Sequence, residues 1–149
     1  DGDVPKGDVL AVARVAGISA AKRVPELLPL AHTIGVHGCA VDLSLEDDHV
    51  AIRATVRTAD RTGVEMEALT SVTVAALAIV DMVKGVDRSA SIREAKIVAK
   101  SGGRSGDWVR ADRCEAYACT EASGLISSYT QWHLERRLRS LTVIDRSHQ

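Results

Sequence analysis

The sequence predicts an α+β sandwich, and three patterns of apolar residues predict it. Residues 39–60 alternate apolar and polar side chains on both sides of a polar turn at 46–48, as an antiparallel hairpin does. Residues 63–85 are apolar nearly all round, which is typical of a buried helix. Residues 91–100 alternate again, less regularly, and predict a third strand. Strands and helices mixed in this order favour an α+β arrangement over a doubly wound sheet.

The first helix is predicted over residues 9–23, where alanine and valine dominate. Asp8 stands at the N-cap position, where a side-chain oxygen can accept a hydrogen bond from a free backbone N–H. Lys22 and Arg23 suit the negative C-terminal end of the helix dipole. Pro25 then opens a short turn, because proline fixes φ at the first position of such a turn.

The chain changes character after residue 110, so we predict a domain over residues 1–110 and a C-terminal tail over residues 111–149. The start of the tail has the composition of an irregular linker. Residues 128–145 carry leucines at helical spacing between basic residues, which predicts a small amphipathic helix that docks on the domain or on a neighbouring subunit. These leucines are Leu134, Leu138 and Leu141.

Composition argues against several classes of function. The 149 residues carry a formal charge of −1, which is too little for duplex binding by phosphate neutralisation. Aromatic residues make up 3%, too few to provide the stacking platforms on which nucleic-acid single strands bind. The apolar run over residues 68–80 is shorter than the roughly 20 residues that a membrane-spanning helix needs. We therefore expect a soluble, cytoplasmic protein that binds neither nucleic acid nor membrane.

The three cysteines, Cys39, Cys114 and Cys119, do not make a disulfide framework. Cys114 and Cys119 are too few for a closed zinc site, and no histidine pair stands beside them. We therefore expect incidental thiols and no metal bound by cysteine.

The segment TGVEMEALTS, residues 62–71, places two glutamates at the start of the long apolar helix. Thr62 and Glu65 have the spacing of a capping box, in which each side chain accepts from the backbone N–H of the other residue. Glu67 has no such structural explanation. On a helix it lies about 200° from Glu65, so one helical face cannot hold both carboxylates.

A polar stripe continues from Glu67 along the same helix. Asp81 lies fourteen residues later, within about 40° of the same line, and Lys84 falls near it. Two interpretations stay open at this point. Asp81 and Lys84 form either a surface ion pair that stabilises by roughly 0.2–0.5 kcal/mol, or a pair in a partly buried cleft that tunes their pKa values.

The other polar candidates are His32, Lys6, Lys100 and Arg104. His32 ends the segment LLPLAH, and a lone histidine is more often structural than catalytic. The three cations stand near glycines, in PKGD and AKSGGRSGD, where backbone donors and cations can approach phosphate oxygens. The second segment lacks the spacing of a Walker loop or a dinucleotide fingerprint, so by itself it is a weak signal.

Four segments together are more specific than any one of them: PKGDVLAVARVAGISAAKR, LLPLAH, RTGVEMEALTSVTVAALAIVDMVK and VAKSGGRSGDW. In combination they resemble the MoaC family of molybdenum cofactor biosynthesis. The resemblance covers residues 4 to about 110. Its strongest element is TGVEMEALT followed by DMVK at the distance found in the family.

The resemblance implies a fold, an activity and partners. Family members are ferredoxin-like α+β sandwiches, with an antiparallel sheet and helices packed on one face, and they assemble as hexamers built of dimers with active sites between subunits. They are lyases that convert 3',8-cyclo-7,8-dihydro-GTP, supplied by a radical S-adenosylmethionine enzyme, to cyclic pyranopterin monophosphate with release of pyrophosphate. We expect the same homo-oligomer here, with no resident cofactor and with a divalent metal able to accompany the triphosphate.

The resemblance also implies the site residues. Catalytic roles fall on Lys6, Asp81 and Lys84. Substrate contacts fall on the histidine motif, the glutamate pair and the glycine-rich loop, namely Leu30, Ala31, His32, Glu65, Met66, Glu67, Lys100 and Arg104. Within these sets we expect Asp81 and Lys84 to transfer protons, the other cations to bind phosphates, and the histidine and glutamates to contact base and ribose.

Three departures from the family pattern raise an alternative. Ala31 and Thr33 replace the usual cysteine and proline around His32, and losing the proline frees the backbone at that position. Family members carry a further strand and helix before the PKGD lysine, which are either missing here or lie before Asp1 in a longer chain, and residues 111–149 have no counterpart in the family pattern. The alternative is a non-catalytic paralogue, an oligomeric module that binds a nucleotide or pterin. A purely structural scaffold would have no use for three lysines and three carboxylates in these settings.

Overall fold

The computed structural model describes residues 3–4, 6–111 and 126–135. In chain order its elements are β1 (Asp3–Val4), β2 (Gly7–Asp8), α1 (Val9–Ala21), α2 (Val24–Leu27), β3 (Gly38–Leu45), β4 (His49–Thr58), α3 (Glu65–Val83), β5 (Ser91–Lys100), β6 (Trp108–Val109) and β7 (Ile126–Glu135). β1 and β2 form a two-stranded sheet, and the others form a five-stranded sheet in the order β3-β4-β7-β5-β6. The paired strands run antiparallel, which confirms the α+β class.

The predicted hairpin forms from β3 and β4, with Leu45 opposite Val50 across the turn. Every second residue of β4 is buried, from Val50 to Thr58, and the residues between them are more exposed. This alternation buries one face of the hairpin, as the period of two in the sequence predicts. Ile52 is fully buried there, and burying such a side chain stabilises the fold by roughly 1.5–3 kcal/mol.

The two long helices contribute to one core with the buried face of the hairpin. Helix α1 begins after Asp8, whose carboxylate accepts from the N–H of Ala11 at 3.0 Å, so the predicted N-cap is confirmed. Helices α1 and α3 approach closely at Gly17, because a Cβ there would lie 2.9 Å from the backbone oxygen of Ser71. Glycine at this position therefore allows the helix contact that holds α3 in place.

Helix α3 begins at Glu65, with Val64 at the N-cap and no side-chain capping bond. The predicted capping box is therefore wrong. It required Thr62 to be the N-cap and Glu65 the third helical residue, whereas the helix starts two residues later and the Glu65 carboxylate pairs with Lys100 instead. By length and composition alone α3 is apolar enough to cross a membrane, but in this fold it packs on α1 and on the sheet.

Strand β7 lies between β4 and β5 in the larger sheet. The amphipathic helix predicted over residues 128–145 is therefore wrong for residues 128–135, and the remainder of that prediction lies outside the described residues. Tyr129 and Trp132 belong to residue types that favour strands, and this signal outweighed the leucine spacing. The division of the chain at residue 110 stays a prediction.

Candidate functional site

A pocket of about 650 Å³ lies at the N-terminal end of α3. Its lining comes from the segment before α3 and from the end of β5 with the loop after it: Arg61, Thr62, Gly63, Lys100, Arg104 and Ser105. We call it the α3 N-terminal pocket. Three of its six lining residues are cations, so the pocket suits an anionic ligand.

Lys100 is the most buried of these cations, with 8% of its surface exposed. Its Nζ donates to Ser105 Oγ at 2.8 Å and forms an ion pair with Glu65 Oε1. A buried ammonium is tolerated only when such partners replace its lost water. The contacts therefore hold the amine in one position at the pocket wall.

The glycine-rich loop after β5 shapes the same wall. Gly102, Gly103 and Gly106 have φ values of 72°, 71° and 71°, a backbone region that other residues rarely adopt. The N–H of Gly102 donates to Asp107 Oδ1 and closes the loop on itself. This tight course brings Arg104 to the pocket, as its position among the glycines suggested.

Glu67 is 3% exposed, and its Oε2 has no hydrogen-bond partner among the described residues. Burial raises the pKa of this carboxyl above its ordinary value, and the charge of Glu65 raises it further. An unpartnered buried carboxylate destabilises a protein, and groups with pKa values shifted in this way are typical of functional sites. Glu67 is therefore the strongest candidate for proton transfer at this end of the helix.

A second group of charges, the Asp81 cluster, lies at the C-terminal end of α3. Lys84 Nζ donates to Asp81 Oδ1 at 2.5 Å, and Lys6 Nζ lies 3.2 Å from Asp81 Oδ2 and 3.1 Å from its backbone oxygen. The hydrogen bond from Lys84 lowers the pKa of Asp81 most, followed by the one from Lys6. Asp81 is therefore a carboxylate that orients two amines, and it is a weak base.

The histidine motif lies in the irregular segment between α2 and β3, and none of its residues lines the α3 N-terminal pocket. Leu30 is 93% exposed, and Ala31 N–H donates to Leu28 O at 3.0 Å in a turn. His32 is exposed and forms no side-chain hydrogen bond within the described part of the chain. The fold leaves His32 accessible to a ligand or to another subunit.

The polar stripe on α3 does not form one site within a protomer. Glu67 and Asp81 are fourteen residues apart, which corresponds to about 21 Å along the helix axis. Glu67 at one end of the stripe is buried and does not line the pocket, whereas Asp81 and Lys84 at the other end are exposed to solvent. The expectation that the two ends meet at a boundary between subunits stays a prediction.

The comparison with known families decides the family of the chain. A family model described as "MoaC family" matches residues 1–103. The chain belongs to the MoaC family. The resemblance inferred from the sequence segments is thereby confirmed.

Relatives across the MoaC family share most of the matched region. Proteins named cyclic pyranopterin monophosphate synthase are 63% identical over 107 residues in Streptomyces coelicolor and 61% identical over 110 residues in a Nocardioides species. One from Geobacter sulfurreducens is 52% identical over 111 residues. The alignments cover 72%, 72% and 73% of this chain and 63%, 68% and 69% of the relatives, respectively. The chain thus spans less than two thirds of the length of the Streptomyces coelicolor relative.

Four residues that line the pocket were not among the predicted site residues, namely Arg61, Thr62, Gly63 and Ser105. Arg61 stands directly before the TGVEME segment, and this position next to predicted site residues was the signal that could have identified it. Ser105 reaches Lys100 only through the turn of the glycine loop. Among the described residues no group of three metal-ligating side chains is arranged to hold an ion. Cys114 and Cys119 lie outside those residues.

Proposed function

We propose that this chain is a cyclic pyranopterin monophosphate synthase, a lyase that converts 3',8-cyclo-7,8-dihydro-GTP to cyclic pyranopterin monophosphate and releases pyrophosphate in molybdenum cofactor biosynthesis. The names of its relatives support the activity. The observation that carries the proposal is the α3 N-terminal pocket, where the buried, ion-paired Lys100 stands with Arg61 and Arg104. This arrangement fits a triphosphate.

The proposed reaction needs an oxygen nucleophile to attack the α-phosphorus of the substrate while pyrophosphate leaves. Negative charge accumulates on the phosphate oxygens during this step. Cations already in position stabilise that charge without reorganisation, so Lys100, Arg104 and Arg61 are assigned to the phosphates. Lys6 also binds the phosphates when the Asp81 cluster contacts the same substrate molecule.

Rearranging the purine to a pterin also needs repeated proton transfers at nitrogen and carbon. Glu67, with its raised pKa, suits transfer near neutral pH better than Asp81, whose pKa is lowered. We therefore assign proton transfer to Glu67 and Lys84, and the orientation of Lys84 and Lys6 to Asp81. The residues left for base and ribose are Leu30, Ala31, His32, Glu65 and Met66.

We propose that two copies of the chain complete each site, in a hexamer built of ferredoxin-like dimers. The separation of about 21 Å along the helix axis between the two ends of the stripe supports this, because it places the Asp81 cluster far from the α3 N-terminal pocket of the same protomer. Mixing Lys84→Ala with Lys100→Ala protein after subunit exchange tests the assembly. Each variant alone should be inactive, and the mixture should recover activity because some sites receive two intact halves. No recovery would mean that each protomer works alone.

The setting of the reaction is part of the same proposal. We propose that the substrate comes from a radical S-adenosylmethionine enzyme in the cytoplasm, and that the enzyme has no resident cofactor and binds neither nucleic acid nor membrane. A divalent cation that accompanies the triphosphate would enter with the substrate. Activity assays with excess chelator test this point. If the enzyme held a resident metal, the loss of activity would depend on whether the enzyme alone had been preincubated with the chelator.

Incubation of the purified protein with 3',8-cyclo-7,8-dihydro-GTP tests the activity itself. The synthase should produce pyrophosphate and cyclic pyranopterin monophosphate in equal amounts. The exposed, unbonded His32 in its altered loop favours one alternative, a module that binds the nucleotide or pterin without turnover. Tight binding of the adduct with no pyrophosphate would establish that alternative.

A further inference from the structure

A set of hydrogen bonds joins the loop that carries His32 to the segment that enters the α3 N-terminal pocket. We call it the Gly35 clasp, and it consists of Gly35, His37, Thr58 and Asp60. The N–H of Gly35 donates to Asp60 Oδ2 at 2.8 Å, and Thr58 Oγ1 donates to Gly35 O at 2.7 Å. The N–H of Asp60 donates to Thr58 Oγ1 at 3.0 Å. Both backbone polar groups of Gly35 are therefore held.

His37 extends the clasp along the end of β4. Its backbone N–H donates to Arg57 O at 2.9 Å. Its ring Nδ1 accepts from Ala59 N–H at 3.2 Å and lies 2.9 Å from Gly35 O. Thr58 is fully buried, so its hydroxyl is held in one position, and its loss would remove two hydrogen bonds of the clasp. Contacts of this kind fix the relative position of two chain segments.

The clasp joins the segment that carries His32 to the segment that carries Arg61, and the proposed function places both residues at the substrate. His32 lies three residues before Gly35, in a stretch without helix or strand. Arg61 follows directly after Asp60 and lines the pocket. Gly35 permits the close approach, because a Cβ there would lie 3.3 Å from Asp60 Oδ2 and 3.2 Å from His37 Cε1.

We propose that Thr58 and Asp60 are positioning residues that hold His32 in register with Arg61 at the substrate. The inference rests on the proposed synthase function and deepens it. Neither side chain lines the pocket, so both act through the segments they join.

Substitution of Asp60 tests the clasp. Asp60→Ala removes the acceptor for Gly35 N–H, and we expect kcat/KM to fall by about tenfold to a hundredfold, since small misplacements of substrate contacts are that costly. Asp60→Asn keeps an oxygen acceptor and should restore most of the loss. Asp47→Ala, at an exposed position of the β3–β4 turn, is the matched control and should leave kcat/KM unchanged.

Thr58 provides a second, independent pair of variants. Thr58→Val removes the hydroxyl at nearly constant volume, and Thr58→Ser retains the hydroxyl. Thr58→Val should lower kcat/KM more than Thr58→Ser at equal fractions of folded protein, measured well below either melting temperature. Equal kcat/KM for the two variants would overturn the inference, as would wild-type kinetics in Asp60→Ala.

Amide hydrogen exchange and pyrophosphate affinity test the clasp without requiring turnover of the substrate. Asp60→Ala should accelerate exchange at Gly35 and at residues 61–63 and weaken pyrophosphate binding, and Asp60→Asn should reverse both effects. If wild-type protein binds pyrophosphate but turns over no substrate, the proposed function fails while these two measurements still judge the clasp. Faster exchange at Gly35 with unchanged exchange at 61–63 and unchanged pyrophosphate affinity would refute the coupling.

Discussion

The charged groups around the two ends of α3 are of the same residue types but lie in opposite environments. At the N-terminal end, Lys100 is 8% and Glu67 is 3% exposed. At the C-terminal end, the side chains of Lys6, Asp81 and Lys84 are 52%, 57% and 61% exposed. Removal of water strengthens charge interactions and shifts pKa values, whereas exposed charges are screened by solvent and salt. The N-terminal end therefore has a formed anion pocket. The charge interactions at the C-terminal end become comparably strong only when another surface covers them and excludes water.

The largest expected effect comes from the exposed end. Lys84→Ala and Asp81→Asn should each lower turnover by roughly a hundredfold or more, because they remove or misplace a proton-transfer amine. Their melting temperatures should stay close to that of wild type, because exposed ion pairs contribute little to stability. Steady-state kinetics and thermal unfolding measure the two effects.

Arg88→Ala is the matched control for this end of the helix, since Arg88 is an exposed cation just beyond α3. It should change neither quantity. Retained activity with a large fall in melting temperature for Lys84→Ala or Asp81→Asn would show instead that the Asp81 cluster is an ordinary structural ion-pair group.

At the buried end, Glu67→Gln should lower turnover by about tenfold to a hundredfold while leaving neutral-pH stability the same or higher. The folded-state pKa of Glu67 is raised, so its favourable contribution to stability is present below the ordinary glutamate pKa and is lost as pH rises through the raised value. The Glu67→Gln protein should therefore lose less stability than wild type over that pH range, as measured by urea unfolding.

Glu65→Gln provides the contrast, because it weakens the ion pair with the buried Lys100 and should lower stability at neutral pH. If both substitutions destabilise equally and leave the pH profile of unfolding unchanged, Glu67 is not a buried, destabilised carboxyl.

The smallest effect is expected from Gly63→Ala. A Cβ at this position would lie 1.9 Å from Glu65 Oε2, so the flexible carboxylate must move, and we expect its ion pair with Lys100 to weaken. With this negative charge displaced, pyrophosphate should bind the pocket about a few-fold more tightly, which calorimetry can measure. Gly85→Ala is the matched control, because nothing lies within 4 Å of a Cβ there. Equal affinity in the two variants would show that Glu65 does not compete with the bound anion.

Much of the fold was predictable from local pattern. The period of two in the hairpin, the Asp8 cap and the apolar length of α3 each follow from a few neighbouring residues, and the structure confirms them. Strand β7 was misread, because leucine spacing indicated a helix where strand propensity and pairing with two neighbouring strands prevailed. The start of α3 was misplaced by two residues, because Glu65 pairs with a lysine that is distant in sequence.

The sequence by itself determined the hairpin, the two long helices, the family and the identities of most polar candidates, since these depend on periodicity and short motifs. Only the tertiary structure decided which candidates are neighbours. It separated Glu67 from Asp81 along a straight helix, added Arg61 to the pocket with Lys100, and joined Gly35 to Asp60. The physical reason is that burial, and with it the strength of a charge or hydrogen bond, depends on contacts between residues far apart in the chain.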